Sequence, residues 1–173
     1  MTEKRVSDSE TIMTELIMPN DTNPLHNLMG GNLLRWMDIA GGICAGKHAG
    51  SHVTTASVDN VSFKRPIPLG DVITIKAVVT RAFNTSMEIY VEVYTSDIKG
   101  GNHRMSNDAY YTFVALDDET FRPCKVPKLV PVTAEEQRRY ETAQRRRELR
   151  LLMSGRLKPK DAHDIRALFE AEK

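Results

Sequence analysis

The chain has 173 residues, a formal net charge of +1, and 40% hydrophobic against 27% charged residues. This is the composition of an ordinary soluble globular protein with one hydrophobic core and room for an appendage, and it sets aside a chain made only of charge or low complexity. Cys44 and Cys124 lie far apart without metal-like spacing and read as reduced thiols rather than as a disulfide framework.

The first ten residues, MTEKRVSDSE, are polar and lack the apolar core of a secretory signal. No apolar run approaches the roughly 20 residues that span a bilayer, so a cytoplasmic protein without membrane insertion is expected. Residues 11–18, TIMTELIM, are compatible with a strand that ends at Pro19, and Asn20, Asp21, Asn23 and Pro24 then mark a loop.

From Gly30 to about Lys47 the apolar spacing predicts a helix, with Leu33, Met37, Ala40 and Cys44 on one side and Leu34, Gly41, Gly42 and Ala45 on another. Such a helix is apolar or small nearly all round, which belongs to a buried helix. Asp38 stands in the middle of that run. Interior glycines cost about 1 kcal/mol each relative to alanine, a cost that fits a close approach by another backbone.

Beyond the helix the period changes to 2. Residues 52–64, 71–82, 86–97 and 108–117 read as strands, the clearest being MEIYVEVY, where Met87, Ile89, Val91 and Val93 alternate with Glu88, Tyr90, Glu92 and Tyr94. The short turns PIPLGD and RAFNTS favour antiparallel neighbours. One early strand, one buried helix and four strands predict an α+β domain in which an antiparallel sheet curls round a single helix.

Thr133 and Glu136 form a capping box after Pro131, opening a helix to about Met153; Gly155 and Pro159 separate it from a short helix over roughly 160–171. Between Arg138 and Lys160 nine basic residues face two acidic ones, Glu141 and Glu148. Nucleic acid would suit such a run, yet aromatic residues are scarce there and no helix-turn-helix or zinc spacing accompanies it; a solvated helix face is the common alternative.

Two long stretches, GGNLLRWMDIAGGICAGKHAG and VTTASVDNVSFKRPIPLGDVITIKAVVTRAFNTSMEIYVEVYTSD, together with the tail KVPKLVPVTAEEQRRYETAQRRR, carry a resemblance. In order and spacing the chain resembles the hotdog-fold acyl-CoA hydrolases over about residues 10–153. The resemblance implies a hotdog fold over residues 1–130, with residues 131–173 as a basic C-terminal helical extension. It also implies hydrolysis of a fatty acyl-CoA thioester to free CoA and a carboxylic acid. A homodimer with a continuous sheet is implied, commonly assembled as a hexamer of three dimers, with no cofactor beyond the coenzyme A of the substrate, no metal and no nucleic-acid partner.

The family's catalytic asparagine and helix aspartate fall on Asn23 and Asp38. Its CoA-contacting segments fall on Ala56, Ser57 and Val58, on Thr85, Ser86 and Met87, and on Arg147. The sequence departs from the common pattern at His26, where many relatives have glycine, and at Met29, where His, Phe or Tyr often precedes the glycine pair. A hotdog dehydratase or isomerase, and a non-catalytic acyl-CoA-binding protein, are the alternatives; the first would be expected to carry a helix-borne histidine, and the second an effector module.

Physical chemistry bears on these positions separately. Hydrolysis of a thioester develops negative charge on the carbonyl oxygen, and a helix N-terminus offers unpaired N–H groups to it. Gly30 and Gly31 would let a substrate reach that backbone; a tight turn or helix packing accounts for them equally well. Asp38 follows Gly31 by seven residues, about two turns and roughly 10 Å along the same face. That is too far to serve a carbonyl held at its own helix terminus, so Asp38 is expected either to complete a site in another subunit or to pair across an interface. It could act there as general base or as nucleophile. Arg147 suits the phosphates of CoA, with Arg146 and Arg150 as neighbours and Arg81 and Arg104 as outlying charge. His48 is expected to cap the helix C-terminus, and His52, His103 and His163 lack ligand spacing.

Overall fold

In the computed structural model, which describes residues 3–59 and 61–170, the expected helix forms as α1 (Gly30–Ala49). It stops at Gly50, whose left-handed φ of 70° lets its N–H return to the Gly46 carbonyl at 2.8 Å. Leu33, Trp36, Met37, Ala40, Gly41, Cys44, Ala45 and His48 form its buried face. The residues 31, 35, 39, 43 and 47 form an exposed stripe instead, so the helix is buried on one side within a single chain.

That buried face lies on a five-stranded sheet of β2 (Thr11–Leu16), β3 (His52–Asp59), β4 (Val72–Ala82), β5 (Ser86–Ser96) and β6 (Arg104–Leu116). The order is β2-β4-β5-β6-β3, with every neighbour antiparallel, so β2 and β3 are the edges. Period-2 alternation turns Ile73, Ile75, Ala77 and Val79 of β4, Met87, Ile89, Val91 and Val93 of β5, and Ala109, Tyr111, Phe113 and Ala115 of β6 into the core. A Cβ at Gly41 would stand 3.0 Å from the Phe113 ring, so the glycine sets how closely helix and sheet approach. Register shifts after Thr55, Val79 and Val93 bend the strands around the helix.

Some boundaries differ from the sequence expectation. β3 ends at Asp59; Asn60 lies outside the described residues, and the segment from 61 to 65 is not a strand. Its polar groups go elsewhere: Asn107 Nδ2 donates to the Ser62 carbonyl at 2.6 Å and Lys64 Nζ to Asp108 at 2.5 Å. Pro66 and Pro68, lacking N–H donors, cannot extend a ladder. β6 begins earlier, at Arg104, which pairs with Thr95. Two short strands, β1 (Glu3–Arg5) and β7 (Lys128–Val130), form a separate parallel pair.

His48 is not an exposed helix cap. It is fully buried, with Nε2 at 3.0 Å from the Pro127 carbonyl. Burial pulls its pKa down, opposed by that carbonyl and assisted by the charge of Lys4.

The chain divides into two compact units, one up to Val130 and one from Pro131. The second contains α2 (Ala134–Met153) and α3 (His163–Glu170). Glu136 N–H donates to Thr133 Oγ1 and Thr133 N–H to Glu136 Oε2, the reciprocal box expected from the sequence. Glu148 is buried and accepts the N–H groups of Asp164 and Ile165 at 2.9 and 3.0 Å, capping the start of α3. The short helix was expected to reach Ala171, which lies outside the described residues.

Candidate active site

The loop before α1 is shaped by Asn23. Its Oδ1 accepts the N–H groups of Leu25 and Asn27 at 3.0 and 3.2 Å, which commits the oxygen to the turn and makes Nδ2 the donor it can present. His26, in the same loop, holds φ at 56°, a left-handed conformation that glycine adopts without steric penalty. It is the position at which the family resemblance leads one to expect glycine. Backbone bonds stitch this loop to the segment before β4: Leu28 N–H donates to the Ile67 carbonyl, Leu69 N–H to the His26 carbonyl, and Asn27 bridges Pro68.

A cleft of about 300 Å³ opens beside the loop, lined by Asn23, Gly30 and Leu33 on one side and by Phe63, Arg65 and Asn107 on the other. Gly30, the first residue of α1, lines the cleft, and Gly31 does not. Met29 precedes the helix without a side-chain cap. Its carbonyl accepts from Asn32 and Leu33, and the Gly30 and Gly31 N–H groups meet no acceptor among the described residues. The two glycines differ. A Cβ on Gly30 would come within 2.9 Å of the Phe63 ring, whereas one on Gly31 would meet nothing within 4 Å.

Asp38 does not line this cleft. It is half-buried on the side of α1 that faces β3, where Thr55 Oγ1 donates to its Oδ1 at 2.7 Å. Its charge also reaches Tyr111, whose phenol is pushed up by burial first and by Asp38 second, while the hydroxyl donates to the Leu34 carbonyl at 3.4 Å. A single chain thus brings Asn23 and Gly30 to one cleft, leaves Gly31 exposed beside it, and holds Asp38 apart from them.

The remaining candidates sit on the sheet and in the second unit. Ala56 is the bulge residue of β3, Ser57 pairs with Thr112, and Val58 is exposed. Thr85 accepts the Ala115 N–H at the turn into β5; Ser86 pairs with Val114, and Met87, paired with Phe113, is wholly buried, so only its backbone can face a ligand. Through β6 the two segments lie two strand spacings apart, roughly 10 Å. Arg147 is half-buried on α2.

Thr55, Phe63, Arg65 and Asn107 were not singled out by the sequence. Thr55 stands one position before a singled-out segment, but its contact with Asp38 exists only once β3 has folded against α1. Among the described residues no cluster of three or more His, Cys, Asp or Glu could hold a metal ion. No described helix is long and apolar enough to cross a membrane.

The thioesterase superfamily model matches residues 25–101. Acyl-coenzyme A thioesterase 11 of Mus musculus is 35% identical over 157 residues, 91% of this chain but 26% of that protein. A hexameric acyl-CoA thioesterase solved without ligand superposes with a TM-score of 0.85 at 39% identity, covering 89% of this chain and 98% of its own. An acyl-CoA hydrolase from Staphylococcus aureus, solved with butyryl-CoA and CoA, gives 0.81 at 38% identity, covering 88% and 94%. That enzyme has also been solved with an asparagine, an aspartate and a threonine each replaced by alanine. The curled antiparallel sheet around one helix is the hotdog fold, and the chain belongs to the thioesterase superfamily, among its acyl-CoA hydrolases.

Proposed function

We propose that this protein hydrolyses fatty acyl-CoA to CoA and a free carboxylic acid at sites shared between two subunits. The observation that carries the reading is the separation just described: the helix N-terminus with its open donors on one side, and the Thr55-held carboxylate of Asp38 about two turns along the same helix. A two-fold axis that sets α1 antiparallel to its copy brings Asp38 of one chain to the Gly31 of the other, giving two equivalent sites.

Exposed apolar surface supports that pairing. Ile39 and Ile43 are 38% and 46% exposed on α1, and Gly42 and Gly46 lie beside them, where small residues permit close helix approach. β3 is an edge strand with an unpaired side available to its own copy, which makes one continuous sheet. The hexameric relative supports assembly of three such dimers.

In this site the thioester carbonyl oxygen receives the Gly31 N–H and the field of the helix terminus as negative charge develops on it. Asn23 Nδ2 orients the thioester or the attacking water. Asp38 either removes a proton from that water or attacks the carbonyl to give an anhydride. Thr55 fixes the rotamer of Asp38 through its hydrogen bond. The three replaced residues of the Staphylococcus aureus enzyme stand fifteen and seventeen positions apart, the spacings that separate Asn23, Asp38 and Thr55 here. CoA is assigned to the backbone of Ala56–Val58 and Thr85–Met87; the guanidinium of Arg147, in the second unit, has the chemistry to bind a phosphate. The reaction needs no further cofactor, and the protein is assigned to the cytoplasm, where its acyl-CoA substrates are dissolved.

Purified protein incubated with acyl-CoAs of graded chain length should release free thiol, and Asp38→Asn should lower kcat by roughly 10²–10⁴-fold, the range for losing a positioned acid–base group. Absence of thiol release from every chain length overturns the reading.

A further inference from the structure

Phe63 is 56% exposed on a segment without regular structure, yet it does not hang free. The residues on both sides of it are tied to β6, Ser62 through its carbonyl to Asn107 Nδ2 at 2.6 Å and Lys64 through its ammonium to Asp108 at 2.5 Å. Asn107 is fully buried and its orientation is set by that bond. Between these two ties the ring lies on the first residue of α1, where a Cβ on Gly30 would stand 2.9 Å from Cζ and 3.1 Å from Cε1. Real Cβ atoms do not approach so closely, so the ring occupies the space that any other residue at position 30 would need.

The helix terminus is therefore covered on one side and open on the other. Gly31, with nothing within 4 Å of its missing Cβ, is where a carbonyl can arrive. Gly30 is where the ring is seated. Gly30 lines the cleft with Phe63, Leu33 and Ile67, and Gly31 stands one residue outside that lining; adjacent α-carbons are 3.8 Å apart, so an acyl group that entered the cleft from a carbonyl held at the Gly31 N–H would pass the Phe63 ring.

We propose that Phe63 is a specificity-determining residue that forms a wall beside the acyl α-carbon and admits straight-chain acyl groups in preference to α-branched ones. The inference rests on the acyl-CoA hydrolase reading. With the ring seated against Gly30, an α-methyl group must push it out towards solvent or forfeit the carbonyl contact. One methylene in an apolar pocket is worth roughly 10–200-fold in kcat/KM, and a wall this close to the reacting carbon acts on that scale.

The test compares butanoyl-CoA with 2-methylpropanoyl-CoA, which have equal carbon counts. The unsubstituted protein should favour the straight chain by about tenfold or more. Phe63→Ala should bring the ratio of kcat/KM values towards unity, chiefly by gain on the branched substrate, and Phe63→Leu should fall between. Equal rates on both substrates without substitution, or an unchanged ratio in Phe63→Ala at an unchanged melting temperature, overturns the proposal. Should Phe63→Ala fail to fold, the ratio in Phe63→Leu decides in the same way. No thiol release from either substrate or from any other acyl-CoA overturns the hydrolase reading itself, an outcome distinct from an unchanged ratio.

Discussion

Asp38→Asn and Asn23→Ala, each inactive alone, should restore activity when combined in one dimer. Gly31 and Asp38 stand roughly 10 Å apart along α1, against the roughly 2.6–3.2 Å over which an acid–base group acts. If each site takes Asn23 and Gly31 from one chain and Asp38 from the other, a mixed dimer contains one site with both side chains intact and one with both lost. Equal mixing makes about half of the dimers mixed, and half of their sites competent, so about a quarter of the original kcat returns. Co-expression with two tags, purification on both, and thiol release from a saturating acyl-CoA measures it; in a hexamer of three dimers the double selection removes only the uniform assemblies and leaves the expectation at about a quarter, whereas an isolated mixed dimer would reach about half. Activity no greater than that of the separate variants would show that both residues serve one chain's own site, and would refute the shared-site argument.

Two further outcomes follow from buried side chains. Cys44 is fully buried and its thiol is pushed up to about 12 by desolvation, with Ser9 and Lys47 acting weakly in the other direction, whereas Cys124 is half-buried. One thiol per chain should therefore react with a disulfide reagent at pH 8, and the second only in denaturant; two fast thiols in the native protein would contradict the burial of Cys44. His48 has a folded pKa below its ordinary value of 6.5, so the unfolded chain binds the proton more readily. Its contribution to stability is complete above about pH 6.5 and is lost as pH falls through and below that value. Urea midpoints should decline between pH 7.5 and 5.5, and His48→Gln should flatten that slope; an unaltered slope assigns it to other groups.

The parts of the fold legible in the sequence are those whose side chains repeat over many residues. β5 declares itself because Met87, Ile89, Val91 and Val93 alternate on one face, and α1 because its apolar spacing continues for five turns. β1 and β7 do not, since three residues cannot show a period and their pairing joins Glu3 to Lys128. The segment from 61 to 65 alternates like a strand, but what it does is fixed by Asn107 and Asp108 on a strand that follows much later. Asn23, Gly30 and Gly31 could be read as neighbours because they are close in sequence. Thr55 could not be attached to Asp38, nor Phe63 to Gly30, because each contact depends on where the sheet returns the chain. His48 differs from its expectation for a related reason: the helix end speaks only of a dipole, while the Pro127 carbonyl that meets its Nε2 comes 79 residues later.

The stitching of the Asn23 loop to the segment before β4 has a kinetic meaning. Leu28 is bonded to Ile67, and His26 to Leu69, so the turn that Asn23 shapes is fixed in place by residues about forty positions away. Contacts of that span are closed after local ones, because the chain between them must first lose its freedom. During refolding, helical signal should therefore return before any ability to release thiol, and the interval between the two contains both the docking of β4 and the pairing of subunits that the shared site requires. A chain can hold every element of its secondary structure and still be catalytically unformed.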